Sequence, residues 1–163
     1  MKNIYSTTLL ILFLAADIVS AQWTALNTSF GSDIRALLKV GNSLYAATNG
    51  SGIYFSSNAD QNWAQKNSGL TNLKVYSLAT NGTTIGAGTY GNGVFLSNNN
   101  GETWTSTANG INVPYIYALA FMGNNIIAGT GGGGFFRSSN NGSNWTYAGG
   151  TTHIVNAIYV TSN

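Results

Sequence analysis

The sequence predicts an all-β fold, a partial β-propeller of about three four-stranded antiparallel blades with a single strand at each end. An octapeptide that begins with serine and ends with tryptophan occurs at 56–63, 97–104 and 138–145, and its spacing is constant (97 − 56 = 41 and 138 − 97 = 41). A fixed period near 40 residues is typical of propellers and solenoids. Between the copies lie short apolar runs bounded by Gly and Asn, without a helical stripe, which favours four-stranded blades over helical repeats.

The N-terminal segment 1–21 has the layout of a secretory signal peptide. Lys2 precedes an apolar run at 9–16, and small residues at 19–21 end the segment. The apolar run is much shorter than the roughly 20 residues of a membrane-spanning helix. We therefore expect cleavage after Ala21, no membrane span after cleavage, and a single domain at 22–163. The expected location is outside the cytoplasm of a bacterium, in the periplasm, at the cell surface or secreted.

The composition excludes several functions. Charged residues make up 6% of the 163 residues, the net charge is +2, and cysteine is absent. Such sparse charge provides no basic stripe, so we expect no nucleic acid partner. Without cysteine the chain has no disulfide and no thiolate nucleophile or ligand. We also expect no cofactor and no metal site.

One 41-residue unit contains the signals of four strands in succession. Each strand is bounded by the Gly and Asn residues that are typical of tight turns. In the second unit we predict strand a at 75–80, a turn at 81–82, strand b at 84–89, a turn at 90–92, strand c at 93–97 and strand d from Trp104. Glycines repeat with the same period at Gly41, Gly82 and Gly123, and again at Gly52, Gly93 and Gly134.

The two ends of the chain look like incomplete blades. Trp23 lies 40 residues before Trp63 (63 − 23 = 40), so its surroundings predict a lone strand d. The apolar stretch at 154–160 predicts a strand a with no later strands. Propellers typically have four to eight blades. We therefore expect either the N-terminal part of a longer protein or closure by self-association through the open blade ends.

The octapeptides follow the pattern Ser-x-Asn-x-Gly/Asp-x-x-Trp, and "GTYGNGVFLS" or "GTGGGGFFRS" precedes two of them. This pattern resembles the Asp-box, or bacterial neuraminidase repeat, of propellers in sialidases, xyloglucan-degrading glycosidases, sortilin and photosystem II assembly factors. The resemblance covers essentially all of 22–163, although Asn replaces the usual Asp. The residues of the three boxes are Ser56, Asn58, Asp60 and Trp63, then Ser97, Asn99, Gly101 and Trp104, then Ser138, Asn140, Gly142 and Trp145.

We expect these boxes to be structural. Their Ser and Asn side chains are suited to hydrogen-bonding local backbone groups and so to holding the hairpin between strands c and d. The tryptophan that follows would fold into the gap between two blades. Ligand binding by the boxes is the less favoured interpretation, because they lie away from the central opening.

Catalysis by the residues of this chain is not expected. A G-x-G-x-x-G pattern at 86–91 is followed by a strand, whereas a nucleotide-binding loop requires a helix there. Glycoside hydrolysis normally needs two carboxyl groups beside one bond. Asp60 and Glu102 lie in the boxes, and Asp33 has no visible partner. The sialidase resemblance implies three clustered arginines, and 22–163 contains two. His153 is expected in a loop, with no candidate Ser or Cys constellation around it.

Binding is the favoured function. Strand a lines the central opening of a propeller, and Arg35, Tyr76, Tyr117 and Asn156 occupy equivalent positions on successive a strands. Tyrosines at such an opening can bind sugars or a peptide, although packing between blades is the alternative. Tyr90 is a further candidate on a loop. We expect a non-catalytic module that binds or scaffolds a protein or a glycan. The alternatives are the N-terminal part of a glycoside hydrolase with its acids elsewhere, or an assembly factor for a protein partner.

Overall fold

The computed structural model describes residues 30–58, 62–150 and 152–161, and every regular element in these ranges is a β-strand. The predicted signal peptide, Trp23 and Asp60 lie outside the described residues. Within those residues no helix is long and apolar enough to cross a membrane.

The twelve strands form three four-stranded antiparallel sheets, each made of consecutive strands. Blade 1 contains β1 (Ile34–Val40), β2 (Ser43–Thr48), β3 (Ile53–Ser56) and β4 (Ala64–Gln65). Blade 2 contains β5 (Val75–Thr80), β6 (Ile85–Thr89), β7 (Val94–Ser97) and β8 (Thr105–Ser106). Blade 3 contains β9 (Ile116–Met122), β10 (Asn125–Thr130), β11 (Phe135–Ser138) and β12 (Thr146–Gly149). The predicted all-β architecture of a partial propeller is thus confirmed.

The register of blade 2 shows how each blade is built. Val75 pairs with Thr89 across β5 and β6, and Ile85 pairs with Ser97 across β6 and β7. The turn between β5 and β6 is held by the Asn81 side chain, whose Oδ1 accepts hydrogen bonds from the backbone N–H groups of Thr83 and Thr84. These Asx-type contacts close the turn locally.

The hydrophobic core lies between the blades. One cluster fills the space between blades 1 and 2, and the other fills the space between blades 2 and 3. The first cluster includes Tyr45, Ile53, Val75, Ile85, Phe95 and Trp104. The second includes Leu96, Ile116, Leu119, Ile126, Phe136 and Trp145. Because each blade is too thin to bury its own faces, these interfaces supply the hydrophobic stabilisation.

The first strands of the blades contact one another directly, which places β1, β5 and β9 along the inner side of the arc. Backbone hydrogen bonds join the blades where these strands begin. The carbonyl oxygen of Leu73 accepts hydrogen bonds from the N–H groups of Gly50 and Gly52 at 3.1 and 2.9 Å. We call this edge, with the turns between β2 and β3, β6 and β7, and β10 and β11, the upper face. The box hairpins lie at the opposite edge.

Only the first two residues of the predicted C-terminal strand at 154–160 pair with blade 3. Ile154 forms a single bridge with Gly131, and the N–H of Val155 donates to the carbonyl oxygen of Thr130 at 3.0 Å. Residues 156–161 are not part of a strand. A strand a forms its ladder with the strand b of its own blade, and no such strand follows within the described residues.

Candidate functional site

The box hairpins are closed by side chains, as the hairpin of blade 2 shows. The Ser97 hydroxyl donates to Asn99 Oδ1 at 2.9 Å and accepts a hydrogen bond from the Gly101 N–H, also at 2.9 Å. Asn99 Oδ1 further accepts from the Thr103 N–H at 3.0 Å. Asn100 has a φ of 55°, a left-handed conformation that asparagine tolerates better than most residues.

The other two hairpins repeat this arrangement where they are described. In blade 3, Ser138 donates to Asn140 Oδ1 at 2.9 Å and accepts from the Gly142 N–H at 2.8 Å. In blade 1, the Ser56 hydroxyl donates to Asn58 Oδ1 at 2.9 Å. Asparagine in place of the usual aspartate thus accepts the same kind of local hydrogen bond without a charge.

The box tryptophans of blades 2 and 3 are anchored to the segment that follows the last strand of the preceding blade. The indole Nε1 of Trp104 donates to the carbonyl oxygen of Lys66 at 2.9 Å, and that of Trp145 donates to Thr107. Their rings are only 3% and 4% exposed. Trp63 packs edge-on against Phe30, and its buried Nε1 has no hydrogen-bond partner among the residues that the structure describes.

A cluster of tyrosines occupies the upper face and spans all three blades. It contains Arg35 of β1, Tyr76 of β5, Tyr117 of β9, Tyr90 of the turn between β6 and β7, and Tyr115 just before β9. We call these five residues the tyrosine cluster. Tyr90 lies at its centre, with ring centroids 5.2 Å from Tyr76, 4.9 Å from Tyr115 and 6.1 Å from Tyr117.

The rings pack in a defined geometry. Tyr76 and Tyr90 stack with an interplanar angle of 30°, whereas the Tyr117 ring makes T-shaped contacts with both. The Arg35 guanidinium lies over the Tyr76 ring at 5.1 Å, a favourable cation–π contact. Tyr90 and Tyr115 remain 37% and 41% exposed. The cluster is therefore a preassembled surface that is partly open to solvent.

The Tyr117 hydroxyl of the cluster remains protonated at neutral pH. Partial burial raises the pKa of Tyr117 above its ordinary value, and the neighbouring phenols of Tyr90, Tyr76 and Tyr115 raise that pKa further, while Arg35 lowers it. The Tyr76 hydroxyl donates to Asn49 Oδ1 at 3.3 Å. The upper face thus presents phenol groups that can donate hydrogen bonds.

Sequence reasoning identified most of this cluster. It singled out Arg35, Tyr76, Tyr117 and Tyr90, and the structure places all four in contact with one another or with a common neighbour. Asn156 occupies the next equivalent position and is exposed, but it makes no hydrogen bond to the cluster within the described part of the chain.

Two further residues, Tyr115 and Lys74, contribute to this surface. Tyr115 forms a backbone bridge with Tyr90 across blades 2 and 3. Lys74 occupies the equivalent position one blade earlier, and its Nζ lies 5.9 Å from the centroid of the Tyr90 ring. Both positions directly precede a strand a, which is the signal that could have identified them together.

The acids that the structure describes lie at opposite edges of the blades. Asp33 is at the upper face, where it forms a partly exposed pair with Arg35 at 3.5 Å. Glu102 is in the box hairpin of blade 2 and pairs with Lys66, whose Nζ also lies 4.4 Å from the centroid of the Phe55 ring. The two carboxylates therefore do not flank one site in the way that glycoside hydrolysis requires.

No known sequence family matches the chain, and no curated protein matches it. Solved structures do match. An ancestral GH74 enzyme is 27% identical with a TM-score of 0.62, and the match covers 78% of this chain and 19% of that enzyme. The computationally designed Ika4 protein is 18% identical with a TM-score of 0.65, covering 85% of this chain and 86% of the designed one.

A third similar structure is the extracellular domain of a one component system from B. thetaiotaomicron. It is 18% identical with a TM-score of 0.64, and the match covers 80% of this chain and 18% of that domain. The chain thus spans about a fifth of the natural proteins named here. These likenesses and the three sheets define the class: the chain is a partial β-propeller, similar to GH74 and related propellers as the sequence resemblance predicted.

Proposed function

We propose that this chain is a non-catalytic binding module, exported from the cell, whose ligand is a protein or a glycan bound at the upper face. The observation that carries the proposal is the tyrosine cluster. Four tyrosines and an arginine from three separate blades meet there, and two of the rings are more than a third exposed. Tyrosine and arginine are enriched at the energetic centres of interfaces.

The likeness to an extracellular domain and to GH74 enzymes supports an extracellular setting. The predicted signal peptide supports the same location. Tyr90 and Tyr115 are far more exposed than the aromatic residues that pack in the core, such as Phe95 and Trp104, which are at most 3% exposed.

The experiment is a binding screen on glycan and peptide arrays with the natural chain, Tyr90→Ala and Tyr147→Ala. Tyr147 is a matched control, because it is an exposed tyrosine on β12, away from the cluster. We expect ligands that bind the natural chain and Tyr147→Ala but are lost with Tyr90→Ala. Ligands that bind Tyr90→Ala as well as they bind the natural chain would show that the binding surface lies elsewhere.

A second candidate is part of a glycoside hydrolase, which the 27% identity to a GH74 enzyme favours. The chain itself would then contribute substrate contacts, with acids supplied from outside it. Assays on sialosides and xyloglucan oligosaccharides test this. We expect no turnover by the chain alone, whereas turnover that Asp33→Asn abolishes would make the chain an enzyme.

A further inference from the structure

The chemistry of the tyrosine cluster favours one class of ligand. This inference rests on the proposed function, that the upper face binds a ligand. The faces of the Tyr76 and Tyr90 rings are already engaged with each other and with cations. The Tyr117 ring forms T-shaped contacts with both of them. A flat sugar ring therefore finds few free aromatic faces to stack on, and a ligand meets ring edges and phenol hydroxyls instead. Because phenol hydroxyls and the neighbouring cations donate hydrogen bonds, they favour a ligand that carries many hydrogen-bond acceptors.

Two cationic groups lie against the tyrosine rings, one within the cluster and one beside it. The Arg35 guanidinium lies over Tyr76 and the Lys74 ammonium lies over Tyr90. Arg35 shares its charge with Asp33 at 3.5 Å. Lys74 is exposed and has no carboxylate partner in the part of the chain that the structure describes, where ion pairs are formed by Arg35 and Lys66. The cluster thus carries an unneutralised positive charge beside its central ring.

The loop that carries Lys74 is held in place by a network of amides. Asn72 Oδ1 accepts a hydrogen bond from the Lys74 N–H at 2.9 Å, and Asn72 Nδ2 donates to the carbonyl oxygen of Tyr90, also at 2.9 Å. Asn92 Nδ2 donates to the Thr71 hydroxyl at 2.9 Å. The two loops of blade 2 are therefore tied together, which reduces the entropy lost when a ligand binds.

We propose that the tyrosine cluster binds an acidic peptide segment. Carboxylates of the peptide pair with Lys74 and Arg35, and its backbone carbonyl groups accept hydrogen bonds from the exposed phenols of Tyr90 and Tyr115. Charge complementarity selects such a segment, and the ring edges provide apolar contact for its side-chain methylenes. An acidic glycan shares the carboxylate but would depend on stacking, for which the ring faces are largely taken.

The test is fluorescence anisotropy with a labelled short polyglutamate peptide, at low and at moderate salt. The matched controls are a polyglutamine peptide of the same length and the variant Lys39→Gln, because Lys39 is an exposed lysine at the far end of β1. We expect polyglutamate to bind and polyglutamine not to bind. Lys74→Gln should weaken polyglutamate binding by about 1.5-fold to fivefold, the usual range for one exposed charge pair, and Lys39→Gln should leave it unchanged.

The opposite results overturn the inference. One is that polyglutamate does not bind, and another is that Lys74→Gln and Lys39→Gln weaken binding equally, which would indicate attraction by net charge alone. Binding of an oligogalacturonate probe in place of polyglutamate would also overturn it, in favour of an acidic glycan. In that case the proposed function stands. The proposed function itself fails only if the arrays return no ligand that depends on Tyr90.

Discussion

The indole Nε1 of Trp104 donates a 2.9 Å hydrogen bond to the carbonyl oxygen of Lys66, and these two residues belong to neighbouring blades. The backbone N–H of Trp104 also donates, to Ser68 at 2.9 Å. Trp145 repeats both contacts 41 residues later, with Thr107 and Asn109 (145 − 104 = 41). In the second and third boxes a single residue thus joins two blades through its ring, its indole nitrogen and its backbone.

This relationship predicts that Trp104→Ala destabilises the chain by about 3 to 5 kcal/mol, the usual cost of deleting a buried aromatic side chain. Glu102→Gln in the same hairpin should cost less than about 1 kcal/mol, because its carboxylate is largely exposed. Chemical denaturation of both variants measures the difference. Equal losses from the two would show that the tryptophan does not join the blades as we infer.

A second prediction concerns Gly69, which lies directly beneath the Trp104 backbone. A Cβ atom at Gly69 would come within 2.1 Å of the Trp104 carbonyl oxygen, and φ there is +87°. Gly82 has a similar φ of +98° but no atom within 4 Å of such a Cβ. We expect Gly82→Ala to cost about 1 to 2 kcal/mol from backbone conformation alone.

Gly69→Ala should cost about 3 to 5 kcal/mol in total, because the Trp104 backbone must also move. Denaturation midpoints of the two glycine variants provide the measurement. Similar midpoints would mean that the interface between blades 1 and 2 accommodates the added methyl group at little cost.

A third prediction is that stability falls at alkaline pH. Burial, and secondarily the charge of Glu102, raises the pKa of Tyr45 above its ordinary value of 10.0. The Tyr45 hydroxyl donates to the Asn100 carbonyl oxygen at 3.1 Å, which a phenolate could not do. Because the folded pKa is the higher one, this stabilisation is complete below pH 10.0 and is lost as the pH rises through the folded pKa.

Denaturation of Tyr45→Phe at a series of pH values tests this prediction. The variant should lose about 1 kcal/mol at neutral pH and should show a shallower decline above pH 10. Tyr159→Phe is the control, because Tyr159 is 89% exposed. An unchanged alkaline decline in Tyr45→Phe would assign the pH dependence to other groups.

A large share of the fold could be predicted from the sequence because its signals are local. The 41-residue period, the Asx turns and the alternating apolar residues each act within one blade, and β5 lies where it was predicted, at Val75–Thr80. The strand predicted at 154–160 was wrong beyond its first residues. Apolar alternation can specify which face of a segment is buried, but a ladder also needs a partner strand.

The site was harder to predict because it is assembled across blades. The candidates Arg35, Tyr76 and Tyr117 followed from the repeat, since equivalent positions on inner strands line the same surface. The stacking of Tyr90 on Tyr76 and the approach of Lys74 to the Tyr90 ring depend on how the turns of a blade pack against the neighbouring strands. No spacing within one repeat specifies that geometry.

A fourth prediction is that the chain from residue 22 onward self-associates through its first blade. Ile34 is 46% exposed, whereas its counterparts Val75 and Ile116 are fully buried against the preceding blade. Leu37 on the same strand is 65% exposed. Exposed apolar surface of this kind favours association.

Light scattering over a range of concentrations measures this association. The double variant Ile34→Asn with Leu37→Asn should be monomeric, whereas Met122→Gln should behave as the natural chain, because Met122 is similarly exposed at the end of β9. A natural chain that is monomeric at all concentrations would contradict the prediction.

The central claim is that the upper face binds the ligand, and hydrogen exchange tests it most directly. The natural chain is compared with and without a ligand that the arrays return. The account predicts slower amide exchange in the segments at 72–76, 90–92 and 115–117, with unchanged exchange in the box hairpins at 97–104 and 138–145. Protection confined to the box hairpins, or arrays that return no ligand, would contradict it.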